Sequence, residues 1–441
     1  MDIGIIGMFL AIIVMIAGAY MGVKAIPLTL IAALVVILFN QMGVWPGYVI
    51  YATRFGQIIS SFFFIFVASS VYAMVMQSTG STVAIGQQLI KWFGLKHVLW
   101  VIWAFCLVLT YGGVLLFVCV FAVVPVAFYL FKEAKLPRHL LMAPLAAGGA
   151  TITMTTLPGT PALTNVIPSR FLGTPLTSAP VFSLVFAAGI VALTAVYFKW
   201  AVNDARKKNE DFEYPAGFDP AALNFDKSKL PPSAFAFLPI ITLILFIIIS
   251  SVAGAPWAND GIQLTSLALV VATALCLLLN YKRINFTGVK NWLGTGADNG
   301  IIAMIGLAAV IAFGAVVSAA PTFQGVIQWI IELDMNVYVK GVVSTGIISG
   351  ITGSSSGGAE IALSNLADYF INSGANLELL HRLIAIGAGT LDTLPHVGAI
   401  FLLLQVVGCT HKEAYKHMWW TTVVIPTGLL VIVLVPIVLI F

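Results

Sequence analysis

Charge is scarce in this chain. Only 9% of its 441 residues are Asp, Glu, Lys or Arg, against 60% hydrophobic, and mean hydropathy is +1.04. So little charge cannot cover a water-soluble surface. A soluble fold is excluded, and an all-α polytopic membrane protein in a lipid bilayer is indicated. Cysteine is scarce too. Cys106, Cys119, Cys276 and Cys409 sit in or beside apolar runs, with no spacing that suggests a metal site or a disulfide framework, so they read as packing residues. No GxxxxGK[ST] loop occurs, which argues against ATP-driven transport by this chain alone. No bound cofactor or metal is called for. The net charge of +4 is accounted for by short loops and calls for no nucleic-acid or other acidic partner. The start, Met1-Asp2-Ile3-Gly4, lacks a basic n-region, so the first apolar run reads as a retained helix rather than a cleaved signal.

What the chain does have is apolar runs near 3–21, 26–44, 57–77, 98–131, 140–168, 178–200, 235–255, 262–281, 299–320, 338–371, 381–408 and 419–441. A span needs about 20 residues. The one long polar stretch, 201–233, contains Arg206-Lys207-Lys208 and Pro231-Pro232. It reads as a linker between a first half, 1–200, and a second half, 234–441.

The halves repeat. Thr155-Thr156-Leu157-Pro158-Gly159-Thr160-Pro161-Ala162 returns 237 positions later as Asp392-Thr393-Leu394-Pro395-His396-Val397-Gly398-Ala399. Each segment interrupts an apolar run with Pro, Gly and hydroxyl groups. Upstream of each lies a glycine-centred run: 98–131 around Thr110-Tyr111-Gly112-Gly113, and 338–371 around Thr352-Gly353-Ser354-Ser355-Ser356-Gly357-Gly358. These runs are too long for one straight span, so each reads as a re-entrant hairpin. Each half then has five crossings plus one hairpin and one Pro/Gly-broken helix. Five is odd, so the repeats are inverted and both termini lie outside. The positive charges agree with this topology. Only Arg54, Arg170, Lys340 and Arg382 fall outside, and the other 17 of the 21 Lys and Arg fall inside. Reading 98–131 as one span would move Lys132, Lys135 and Arg138 outside and remove the bias.

Broken backbone in hydrocarbon is tolerated only where it lines a polar cavity or is buried in protein, and paired breaks in two halves mark a transporter's binding site. Free N–H groups and the positive dipole end of a half-helix suit an anion. The substrate-binding candidates are therefore Thr155, Thr156, Thr160 and Asn165 from the first break, Ser354, Ser355, Ser356 and Gly357 from the second tip, and Thr393 from the second break. Such hydroxyls, amides and backbone groups suit a small hydroxylated carboxylate. Ionisable groups at membrane depth suggest function. Asp392 either carries a coupling proton or caps the second half-helix. His396, which a helix would place on the same face, either shares that proton or donates to a carbonyl. Glu360, close behind the tip, is either a coupling or a structural residue. Asp298 reads as the start of a helix and its N-terminal cap. Asp368 reads as solvated, Trp419 and Trp420 as belt residues, and Arg170 and Arg382 as interfacial residues on the outer side.

The tip Thr110, Tyr111, Gly112 and Gly113, the stretch from Thr151 to Asn165, Ile351 to Asp368 and His381 to Ala399 together resemble the gluconate permease (GntP) family of the ion transporter superfamily. The resemblance runs over nearly the whole chain. It implies secondary uptake of a small organic acid anion, with the first tip added to the substrate-binding candidates and proton symport the expected coupling; sodium is the alternative. It implies scaffold and transport domains with elevator-like movement, a homodimer, and a multi-pass position in the cytoplasmic (inner) membrane of a bacterium. Implied substrates are gluconate, related sugar acids and 3-hydroxybutyrate. The tip and break motifs depart from those of gluconate permeases proper, which sets the shorter hydroxy acid beside gluconate. Two rival readings are a passive anion channel and an intramembrane hydrolase using Glu360, Asp392 and His396. Neither an HExxH nor a nucleophile-elbow pattern is read in support of the latter, and it leaves the repeat unexplained.

Overall fold

The computed structural model describes residues 3–223 and 230–440. Part of the expected linker, including Lys227 and Lys229 of the charge count, lies outside the described residues, as do Met1 and Asp2. Among the described residues every regular element is a helix. In the first half these are α1 (Ile3–Tyr20), α2 (Ala25–Phe39), α3 (Val44–Ser78), α4 (Ser81–Phe93), α5 (Val98–Tyr111), α6 (Leu116–Ala134), α7 (Met142–Ala146, continuing as a π-helix over Ala147–Thr156), α8 (Leu163–Leu172) and α9 (Pro180–Lys207). The second half has α10 (Ser233–Val252), α11 (Gly261–Leu279), α12 (Phe286–Ala319), α13 (Pro321–Glu332), α14 (Val337–Thr352), α15 (Ser355–Asn372), α16 (Leu377–Ala388), α17 (Gly398–Val407), α18 (His411–Met418) and, after a second π stretch at Trp419–Val424, α19 (Ile425–Ile440).

Eight of these segments are long and apolar enough to cross a bilayer: α1, α3, α6, α9, α10, α11, α12 and the run His411–Leu439. The chain is a helical membrane protein. α3 and α12, at 35 and 34 residues, are roughly 50 Å long, well over the roughly 30 Å of hydrocarbon. They lie along each other at the centre of the fold. Small residues allow that approach. Gly296 and Gly300 of α12 face α3 so closely that added Cβ atoms would come within 2.7 Å of Val71 Cα and 2.6 Å of the Phe66 carbonyl, the packing that small residues four apart permit. Asp298 lies between these glycines, exposed, well inside α12. It does not begin the helix as expected. Asn285 caps that helix instead, its side chain accepting from the Gly288 N–H.

Packing between the halves is reciprocal. α2 lies on α12 and α11 on α3; α4 meets α10 and α13 meets α1; α6 meets α17 and α15 meets α8. Both glycine-centred runs are helix–turn–helix hairpins, α5–α6 and α14–α15. α5 continues from α4 through a 102° bend. α6 alone is long and apolar enough to cross.

Candidate functional site

The first break is built from residue type. Pro158 and Pro161 supply no N–H and Gly159 takes φ +79°, so no helix can run through Leu157 to Ala162. The approach to the break is a ten-residue π-helix. Such stretches are rare and favour functional sites. Its threonine hydroxyls donate back to the ladder, Thr153 to the Gly149 carbonyl at 3.0 Å and Thr155 to the Thr151 carbonyl at 2.7 Å. Beyond the break, the Thr164 hydroxyl donates to the Met154 carbonyl, which closes the gap. Asn165 donates to the carbonyls of Thr160 and Leu176, both at 2.9 Å. The first tip touches this break. The Tyr111 hydroxyl donates to the Pro158 carbonyl at 3.0 Å, and the Thr110 and Thr153 hydroxyls share a hydrogen bond of 2.8 Å. Gly113 turns the tip at φ +94°, beside Gly112.

The second break spans Gly389 to Val397. The Thr393 hydroxyl bonds the Thr422 hydroxyl at 2.6 Å, and the Thr393 carbonyl accepts from Tyr415 at 2.9 Å. His396 Nε2 donates to the Gly350 carbonyl at 2.9 Å, the second of the two roles open to it. That bond leaves Nδ1 as a buried atom without a partner. Asp392 is partly exposed and interacts with the Ser355 hydroxyl. It does not cap the following half-helix, whose N-cap is Val397. Residues 392–396 are turns, not helix, so the shared helical face expected for Asp392 and His396 is not formed. In the second tip, Ser354 caps α15 by accepting from the Gly357 N–H at 3.1 Å and lies 3.4 Å from the Ser356 hydroxyl. Glu360 is exposed on α15 and has no hydrogen bond or ion pair among the described residues.

The two breaks meet. A Cβ on Gly389 would stand 2.5 Å from Thr155 Cγ2, and one on Gly353 would stand 3.6 Å from Val397. Both tips and both breaks are therefore assembled in one cluster, buried around Thr155 and His396 and open at Tyr111 and Leu163. Thr155, Ser355, Asp392 and His396 belong to it. Thr156 and Thr160 are buried at the first break, where Thr160 Oγ1 accepts from the Ala162 N–H at 3.3 Å.

Arg382 differs most from expectation. It is not on the outer surface but fully buried, at 0% exposure. Its Nη1 donates to the carbonyls of Thr155 and Leu157 and its Nη2 to those of Leu176 and Ser178, at 3.3–3.4 Å. Its Nε has no hydrogen-bond partner among the described residues. Beside it, His381 is held as a neutral tautomer, donating from Nε2 to Asn165 Oδ1 at 2.9 Å and accepting at Nδ1 from Thr174 at 2.7 Å. One sequence signal could have found this pair, namely a charge inside the apolar run 381–408. The second π stretch gave no comparable signal. It is joined to the first where Thr151 donates to the Thr421 carbonyl at 3.2 Å.

Contrary to the reading that no nucleophile-elbow pattern occurs, the letters Gly353-Ser354-Ser355-Ser356-Gly357 fit GxSxG. A nucleophile elbow requires a strand before the turn, and here helix α14 precedes it. His396 spends its N–H on Gly350, and among the described residues no hydrogen bond or ion pair joins Glu360 to Asp392 or His396. The hydrolase reading has no assembled triad.

No family model matches the chain. It is 30% identical over 442 residues to the uncharacterized transporter YxjC of Bacillus subtilis (strain 168), an alignment that covers 92% of this chain and 93% of that protein.

Proposed function

Because the chain belongs to the family of that transporter, we propose that it is a secondary active transporter that takes up a small organic acid anion with a proton. The observation that carries this reading is the cluster of two tips and two breaks. Three of the helices that start there, α6, α8 and α17, have Leu115, Ala162 and Val397 at the N-cap, and none of these offers a capping side chain. Asp260, Asn285, Asn336, Asn376 and Thr410 cap their helices, while α10 and α13 also start without a side-chain cap. Uncapped N–H groups and dipole ends in the interior favour a carboxylate. In this reading the substrate carboxylate lies at these ends, and the hydroxyls of Thr155, Thr156, Thr160, Ser355, Ser356 and Thr393 serve its oxygens and hydroxyl. Asp392 is the coupling group, because among the described residues it is the carboxylate that lies in the second break beside Ser355. His396 has a positioning role, and Glu360 has no assigned part.

The matching order of helices in the two halves and their reciprocal packing support an inverted duplication of the kind expected for the gluconate permease family. The pairing of α3 with α12 supports a scaffold, against which the hairpins and broken helices move. The test is uptake into proteoliposomes of labelled 3-hydroxybutyrate and gluconate, with inward proton or sodium gradients imposed separately. Accumulation driven by an acid exterior supports the reading. Accumulation that follows sodium and ignores pH removes proton coupling, and equilibration without accumulation makes the protein a channel.

A further inference from the structure

A second set of titratable groups lies away from the break cluster, where the linker meets the helices. His139 Nε2 is 3.0 Å from Glu210 Oε2, His139 Nδ1 is 2.8 Å from His417 Nε2, and His417 Nδ1 is 2.7 Å from the Tyr197 hydroxyl. The two imidazoles are nearly coplanar, 10° apart with centroids 5.0 Å apart, edge to edge as a ring-to-ring hydrogen bond requires. Four elements contribute: the 3₁₀ turn Arg138–Leu141, the start of the linker, α9 and the last turn of α18. His417 and Tyr197 are buried. The Glu210 and His139 side chains are 32% and 19% exposed, so protons reach the chain from that end.

Counting hydrogens fixes the direction of every bond. An ionised Glu210 only accepts, so His139 must donate from Nε2. Its Nδ1 then accepts from His417 Nε2–H, and His417 Nδ1 accepts from Tyr197. One extra proton on either imidazole turns His417 Nδ1 into a donor, and Tyr197 must stop donating to it. The surrounding charges have opposite effects. Glu210 and Glu413 face His139 and favour its cationic form; Lys416 opposes it. Lys416 and Lys208 face His417, and Asp204 faces Tyr197. Arg138 is occupied with the Glu213 carbonyl and Cys409 Sγ. Burial holds His139 below the ordinary histidine range, while the Glu210 carboxylate pulls it back up.

The position of the chain gives the extra proton a consequence. His139 stands at the foot of α7, which runs into the first break. His417 stands just before the second π stretch, whose Thr422 holds Thr393 of the second break. We propose that Glu210, His139, His417 and Tyr197 form a one-proton binding site, distinct from the coupling carboxylate, whose protonation tightens the linker onto both broken helices and slows transport. A cationic imidazole against Glu210 is an ion pair where the neutral form has only a hydrogen bond.

The site can be tested without transport, by titrating ¹⁵N-histidine-labelled protein in nanodiscs from about pH 7.5 to about pH 4, reaching below the ordinary histidine range because burial lowers His139. The proposal expects His139 and His417 to titrate together as one proton, and Glu210→Gln to lower the midpoint by about one unit. Independent titration, or no shift in Glu210→Gln, overturns it. The consequence rests on the transport reading and is measured by 3-hydroxybutyrate counterflow at matched pH inside and outside. Wild-type exchange falls on acidification, and Glu210→Gln and His139→Gln keep their rate with unchanged KM. An equal fall in the variants overturns the role in transport. Absence of any exchange tells against the transport reading instead, and the titration then decides the proton site by itself.

Discussion

Arg382, on α16 of the second half, donates to the Thr155 and Leu157 carbonyls at the end of the first half's broken helix. A cation from one half thus closes the negative dipole end of the other, the placement that helix electrostatics favour. It also pairs the carbonyls of Thr155, Leu157 and Ser178, while that of Leu176 accepts from Asn165 as well. Leaving a buried acceptor unpaired costs about 1–3 kcal/mol, so Arg382→Gln is expected to lower the melting temperature sharply in detergent. Arg382→Lys keeps the charge but loses the planar fork, and should melt between wild type and Gln. Equal melting of all three proteins would show that the carbonyls find other donors.

Asp392 is the carboxylate of the break cluster, partly exposed and beside Ser355. Asp392→Asn keeps the size and hydrogen bonding but cannot titrate. Counterflow of 3-hydroxybutyrate should continue in this variant, with KM changed by less than about threefold, while accumulation driven by a proton gradient is lost. Full accumulation would remove Asp392 from the coupling mechanism. Loss of counterflow as well would make it a binding residue.

The two arms of the second hairpin touch at Gly358. A Cβ there would fall 2.1 Å from Ser349 Oγ and 2.5 Å from the Ser349 backbone. Backbone cannot yield cheaply inside a packed hairpin, and overpacking costs about 1–3 kcal/mol. Gly358→Ala should spread the tip and abolish uptake, whereas Gly325→Ala, with open space around it, should leave uptake unchanged. Comparable uptake in both would mean that the tip has no part in binding.

Much of this arrangement was legible because residue type alone dictates it. Pro158, Gly159 and Pro161 forbid helix wherever the chain places them, and the glycines of the tips mark turns in the same way. Apolar length gave ten crossings, whereas eight segments among the described residues are long and apolar enough to span, because α2 has only 15 residues and the runs 140–168 and 381–408 are broken into shorter helices. What was not legible depends on neighbours. Arg382 looks like a mouth residue until the segment Leu176–Ser178 folds back over it with its carbonyls. The π stretch at Ala147–Thr156 is rich in Gly and Thr, which weaken an α-helix without naming a π-helix, and Gly148 packs there on the Trp103 carbonyl, which a Cβ would approach to 2.4 Å. The start of α12 was missed for a different reason. Hydropathy marks its apolar part, while the capping Asn285 lies far upstream in polar sequence. The His139–His417 chain joins residues 278 positions apart, and nothing local announces it.

His396 separates a proton carrier from a hydrogen-bond donor. Its Nε2–H is committed to the Gly350 carbonyl near the second tip, and its ring is 2% exposed. Protonation at Nδ1 would place a cation in a site that offers that nitrogen no partner. The bond therefore serves to hold the second break against the hairpin that carries Ser354 to Ser356. Glutamine can supply an amide N–H in place of Nε2–H but cannot titrate between pH 5 and 8. His396→Gln should keep proton-driven accumulation with the wild-type pH profile. His396→Leu, which leaves the Gly350 carbonyl unpaired at a cost of about 1–3 kcal/mol, should lose both stability and uptake. If the glutamine variant instead transports but no longer accumulates when the outside is acidified, the imidazole carries the proton, and Asp392 and His396 act as a pair.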